Sequence, residues 1–185
     1  MAELDDYKLM TLRQEYSSLV WEWRNSGHIR PFMNHDRIIP LEDHCKWMDS
    51  TLQDTSKLVK LCLYQEKPIG LVQFTQLDRL NGTCDWGFYI GDQSSPRGSG
   101  KAMGLLALDL IFGDEQMRKV NAQILEFNQK SLAYHQRLGF VQEGRLCKQI
   151  ARPHRYADVV LMGLFREQWE ERSKALKEEA AEANE

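Results

Sequence analysis

The chain has 185 residues, 42% hydrophobic and 28% charged, with a formal net charge of -3. That is the size of one ordinary domain with material for a core, and it excludes a disordered or fibrous chain. The charge balance gives no global reason to coat nucleic acid or a membrane, so neither is expected as a partner.

Residues 7–12 read as a first strand, and residues 15–24, with Leu19, Val20 and Trp23 at helical spacing, as an amphipathic helix. Pro31 and Pro40 break the next stretch into a loop with a short helical turn. Residues 41–48 predict a second helix, with Leu41, Cys45 and Met48 on one face. From Leu58 the period changes to two. Residues 58–64, 69–77 and 83–90 predict an antiparallel meander, turned at Glu66-Lys67-Pro68 and at Asn81-Gly82. A polar stretch of small residues, 92–100, then runs into a helix over 101–112. Strand 120–127, helix 129–138 and strands 140–146 and 156–165 follow. The fold class predicted is α/β (α+β), a mixed and mainly antiparallel central sheet of about seven strands flanked by helices. Residues 1–165 make this single domain. Residues 166–185, rich in Glu, Ala and Lys, read as a charged helical tail that frays in solvent, for want of an apolar stripe.

The four cysteines, Cys45, Cys62, Cys84 and Cys147, are far apart, with no C-x-x-C pair and no histidine at zinc-ligand spacing. No metal is expected, and isolated thiols point to a reducing compartment. The acidic N-terminus lacks the apolar run of a signal peptide, and the longest apolar stretch, 102–112, is interrupted by Asp109 and too short to span a bilayer. A cytoplasmic protein is expected.

Chemistry concentrates at Arg97-Gly98-Ser99-Gly100-Lys101, between a strand and a helix. Glycines at alternate positions let backbone N–H groups converge on an anion, and the helix adds its positive end. A pyrophosphate is the expected ligand. The segment lacks the leading glycine and final Ser/Thr of a Walker A loop. It also lacks the third glycine and early βαβ setting of a dinucleotide fingerprint. Charge agrees: residues 97–155 hold ten basic side chains against five acidic, whereas residues 1–96 hold ten against fourteen.

A second element runs from Asn128, a candidate helix cap, to Gly139-Phe140. Gly98 and Gly100 match Q/R-x-x-G-x-G/A, and Asn128, Ser131, His135, Gly139 and Phe140 match N-x-x-A/S-x-x-x-Y/H-x-x-x-G-F. With the strand plan, these two motifs resemble the GNAT superfamily of acetyl-CoA-dependent N-acetyltransferases. The one departure is Ser95, where Gln or Arg is usual. Trp23-Arg24-Asn25, residues 29–33, Leu41-Glu42-Asp43-His44 with Trp47, and Glu143-Gly144 after Gly139-Phe140 further resemble the nucleotide-sugar N-acetyltransferases of pseudaminic acid synthesis.

The resemblance implies acetyl-CoA as co-substrate, held by Phe88, Tyr89, Ile90, Arg97, Gly98, Ser99, Gly100, Lys101, Asn128 and Ser131. It implies as acceptor the 4-amino group of a UDP-linked 4-amino-4,6-dideoxy sugar, with a ribosomal-protein N-terminus or a polyamine as the alternative. Aminolysis of a thioester needs a base, for which Glu126 is the first candidate and Asp85 the second. It also needs an acid for the departing thiolate: His135 by register, or its neighbour Tyr134. His28 and Arg30, with His35, lie where a loop would cover the acceptor, Arg30 suiting a diphosphate. Trp86 and Asp85 complete the expected substrate contacts. A homodimer is left open.

Overall fold

The computed structural model describes residues 3–182. Seven strands form one sheet: β1 (Tyr7–Thr11), β2 (Leu58–Tyr64), β3 (Lys67–Asp78), β4 (Thr83–Ile90), β5 (Lys119–Leu125), β6 (Val141–Arg152) and β7 (Arg155–Phe165). Their order is β1-β2-β3-β4-β5-β7-β6. Neighbours are antiparallel except β4 with β5, which are parallel. The helices are α1 (Ser17–Asn25), α2 (Leu41–Gln53), α3 (Ser99–Asp109), α4 (Gln129–Leu138) and α5 (Arg166–Glu182).

Alternation along the strands divides the core between the two sheet faces. Val59, Leu61, Leu63 and Leu71 bury against Val20 and Trp23 of α1 and Met48 of α2, with Tyr89 packed alongside. Val72, Phe74, Cys84 and Trp86 point the other way, into a cluster with Met103 and Leu108 of α3 and Leu138 of α4. Successive residues of β4 thus serve opposite faces. Trp86 belongs to the α3/α4 side, and Asp85 stands on the α1/α2 side.

α3 and α4 approach closely. The hydroxyl of Tyr134 donates to the Gly100 carbonyl at 2.7 Å, and a Cβ on Gly104 would overlap that hydroxyl. Glycine is required there so that a tyrosine can lie across the helix.

Two expectations need correction. The described part of the tail, α5, is docked: Trp169 and Leu176 are 2% and 4% exposed within the main core, while residues 183–185 lie outside the described residues. The Trp169 indole N–H donates to Asp109 Oδ1 at 2.9 Å, and Arg172 Nε to the Arg137 carbonyl at 2.7 Å. A stripe of two large apolar residues, seven apart and separated by buried Ser173, suffices because the groove receiving it is already built. The strand expected over 140–146 also continues, as β6, to Arg152. Its register shifts between Leu146 and Ile150, where the Lys148 N–H donates to Asp158 Oδ1 at 2.7 Å. The polar Cys147-Lys148-Gln149 breaks the alternation, and pairing with β7 carries the strand through it.

Candidate active site

β4 and β5 pair only from Thr83↔Lys119 to Trp86↔Ala122. Beyond that, β4 stays with β3 as far as Ile90↔Gly70, and β5 with β7 as far as Leu125↔Val159. The two strands part, and the β5-facing main-chain groups of residues 87–90 have no strand partner. A cavity of about 840 Å³ opens at the fork. Arg24, His28, His35 and Trp47 line it from the α1/α2 side, and Asn128, Ser131, Tyr134 and His135 from α4. Phe88, Tyr89 and Ile90 lie along its wall.

The loop before α3 suits an anion. Gly98, at φ 99, is the helix N-cap and offers no capping side chain, so first-turn amides lack a side-chain acceptor. Arg97 and Gly98 are exposed, and a Cβ at Gly98 would have nothing within 4 Å. At the loop's entry, Asp92 is held down to about 2 by Lys67 and Ser94, which bond to its carboxylate. Lys101 stands 3.8 Å from Glu179. Ser99 departs from expectation. It is 2% exposed, its hydroxyl donates to the Pro96 carbonyl at 2.7 Å and lies 3.1 Å from the Tyr7 hydroxyl, and its N–H donates to Pro96 as well. Ser99 pins the loop to the core and has no donor left for a ligand.

α4 begins as expected, with Asn128 Oδ1 accepting from the Ser131 N–H at 3.2 Å. His135 Nε2 lies 3.2 Å from the Trp86 indole nitrogen, which can only donate, and Nδ1 lies 2.7 Å from the Ser131 carbonyl, which can only accept. The ring is therefore neutral, with its proton on Nδ1, and burial pushes its pKa down to about 4. No proton is available on Nε2, which corrects the expectation of His135 as an acid. Tyr134 differs: it lines the cavity, and burial raises its phenol, which keeps its proton. Trp86 is stacked on Phe140 (5.4 Å, 9°) and Phe74 (6.1 Å, 23°) and is 7% exposed. It reaches the cavity wall only as part of this packed aromatic cluster.

Glu126 does not line the cavity. Its carboxylate turns toward β7, with Oε1 3.4 Å from Arg155 Nη1. Asp85 is the only carboxylate among the described residues that line it. A bulge in β3 between Thr75 and Asp78 places Gln76 so that its Nε2 donates to Asp85 Oδ2 at 3.0 Å. His28 lines the cavity. Arg30 does not: its Nη1 donates to the Asp36 carbonyl at 2.6 Å and braces the covering loop.

A model of the acetyltransferase (GNAT) domain matches residues 8–141. The chain belongs to the GNAT acetyltransferase family. Within the family, it is 36% identical over 104 residues to the SPbeta prophage-derived uncharacterized N-acetyltransferase YokL of Bacillus subtilis. That match takes in 55% of this chain and 58% of the relative, so the chain spans less than two thirds of YokL's length. The acetyltransferase PseH of Campylobacter jejuni is 25% identical over 129 residues, 70% of this chain and 79% of PseH. Among solved structures, the spermidine N-acetyltransferase of Vibrio cholerae in complex with CoA and spermine aligns with a TM-score of 0.83. It covers 89% of this chain and 98% of the other at 18% identity, which is a likeness of fold.

Several residues lining the GNAT cavity were not singled out as site residues from sequence. Gln73 and Thr75 share the face of Asp85, a relation that period two in β3 and β4 contains once the register is known. Arg24 was legible only as the middle of Trp23-Arg24-Asn25. The β6–β7 turn reaches the site from far along the chain: Arg152 Nη1 donates to the Asn34 carbonyl at 3.0 Å, and Nη2 to that of Met33. Among the described residues no helix is long and apolar enough to cross a membrane.

Proposed function

We propose that this GNAT domain transfers the acetyl group of acetyl-CoA to the 4-amino group of a UDP-linked 4-amino-4,6-dideoxy sugar, in pseudaminic acid synthesis. The observation that carries the acceptor class is the charge of the cavity wall: Arg24 and Lys130 against the single carboxylate of Asp85. A polyamine brings several positive charges and calls for several carboxylates. A diphosphate-linked sugar brings negative charge and one reacting amine. The likeness to PseH supports the same class.

The co-substrate supplies an activated acetyl thioester. The loop residues Arg97, Gly98, Gly100 and Lys101, with the amide end of α3, would hold its pyrophosphate. Unpaired N–H groups along residues 87–90 can donate to the acyl oxygen as negative charge builds on it, without reorganising. Asp85, facing the acceptor half of the cavity, takes the proton of the attacking amine. Tyr134, protonated at neutral pH, supplies one to the sulfur by turning its hydroxyl from the Gly100 carbonyl.

A thiol-release assay comparing the UDP-amino sugar, spermidine and an N-terminal peptide tests this reading. Release with the sugar and not with spermidine is expected. An inert sugar beside an active polyamine or peptide overturns it.

A further inference from the structure

The loop from Arg24 to Arg37 carries three arginines against one aspartate, inside the otherwise acidic first half of the chain. Among the described residues, neither Arg24 nor Arg30 forms an ion pair with a carboxylate, and neither does Arg152, which reaches the loop from the β6–β7 turn. Their donors go instead to consecutive carbonyls of the loop: Arg152 to Met33 and Asn34, Arg24 to His35, Arg30 to Asp36. Arg30 and Arg152 stand behind the loop, whereas Arg24 and His28 line the cavity. Arg24 Nη1 and His28 Nε2 are both buried, and among the described residues neither has a hydrogen-bond partner.

A half-buried guanidinium with one buried, unpaired nitrogen and no counter-charge is costly. Burial lowers the pKa of Arg24; Tyr89 opposes it, and Arg30 beside it adds a smaller lowering. An oxyanion placed between Arg24 and His28 would satisfy both orphaned nitrogens and neutralise the site at once. The α3 loop lies on the opposite face of the sheet and none of its residues lines the cavity, so the two anion sites would be separate, with the reacting amine and thioester between them.

We propose that Arg24 and His28 form a phosphoryl-binding subsite for the acceptor, distinct from the coenzyme's pyrophosphate loop. Resting on the nucleotide-sugar reading, it assigns the acceptor's diphosphate to Arg24 in place of Arg30.

The test is calorimetric titration of inorganic pyrophosphate into the protein saturated with CoA, so that the α3 loop is already filled. One pyrophosphate per chain is expected, weakened about ten-fold or more in Arg24→Gln and in His28→Phe. Among the described residues His28 Nε2 has no hydrogen-bond partner, so His28→Phe removes the ligand contact without removing a structural one. Absence of pyrophosphate binding, or wild-type binding by His28→Phe, overturns the subsite. The acceptor reading fails separately: pyrophosphate that binds through Arg24 and His28 while the UDP-amino sugar stays inert leaves the subsite standing and rejects the sugar.

Discussion

The indole N–H of Trp86 donates to Nε2 of His135 across 3.2 Å, and this bond determines what the histidine can do. Nε2 must accept, Nδ1 must carry the proton, and the ring acts as a neutral tie between β4 and α4. Its pKa in the fold, about 4, lies below the 6.5 usual for a histidine. Protonation therefore favours the unfolded chain: the contribution is complete above about pH 6.5 and is lost as pH falls toward 4. The loss is about 2 kcal/mol between pH 7 and pH 5. His135→Phe should be less stable at pH 7 by roughly 1–3 kcal/mol, because it leaves the indole donor and the Ser131 carbonyl unpaired. It should also lose stability less steeply with acid. Denaturant titrations of both proteins across pH 4.5–7 measure this, and parallel slopes would reject the buried neutral ring.

Tyr134→Phe should reduce kcat by about 10²-fold with a smaller change in the KM for acetyl-CoA, since the phenol is assigned to proton transfer. Removing the bond to Gly100 also loosens the contact between α3 and α4, so a melting curve should accompany the kinetics. A folded variant with wild-type kcat would return the acid role to water or another group.

Asp85→Asn should depress kcat by about 10²-fold. Glu126→Gln should leave kcat near that of the wild type, because its carboxylate faces Arg155 outside the cavity. The reverse pattern would restore Glu126 as the base.

Gly98→Val should raise the KM for acetyl-CoA by about ten-fold or more, since a β-branched residue held at positive φ costs roughly 1–3 kcal/mol and crowds the anion site. The space around Gly98 is open, so the effect belongs to backbone conformation and ligand approach, not to a clash within the fold. Gly98→Ala should give a milder increase. Coenzyme titration followed by intrinsic fluorescence would show it.

Trp169→Ala should destabilise the protein by about 3–5 kcal/mol, the usual cost of deleting a large buried aromatic. Urea unfolding monitored by circular dichroism decides between a docked α5 and a dispensable tail.

Local pattern accounted for most of the elements. Period two identified the meander from β2 to β4, and the Asn128 cap with Gly139 bounded α4 at both ends, because these signals reside in neighbouring residues. The glycine loop that opens α3 was legible for the same reason: its glycines and the helix that follows are contiguous. Elements failed where stability comes from a distant partner. α5 docks through two large apolar residues into a groove formed by other helices, and β6 runs through a polar stretch because β7 pairs with it.

The site divides along the same line. Sequence alone determined the family and the fold class, since each rests on contiguous motifs and their order. Only the tertiary structure decided which polar side chains face the cavity. Strand register put Asp85 inside and left Glu126 against Arg155. Burial and two fixed hydrogen bonds removed His135 from acid chemistry, and the packing of α1 against the sheet left Arg24 and His28 facing the cavity with unpaired nitrogens. A side chain's protonation and direction depend on neighbours brought from elsewhere in the chain, and those neighbours exist only once the sheet has closed over them.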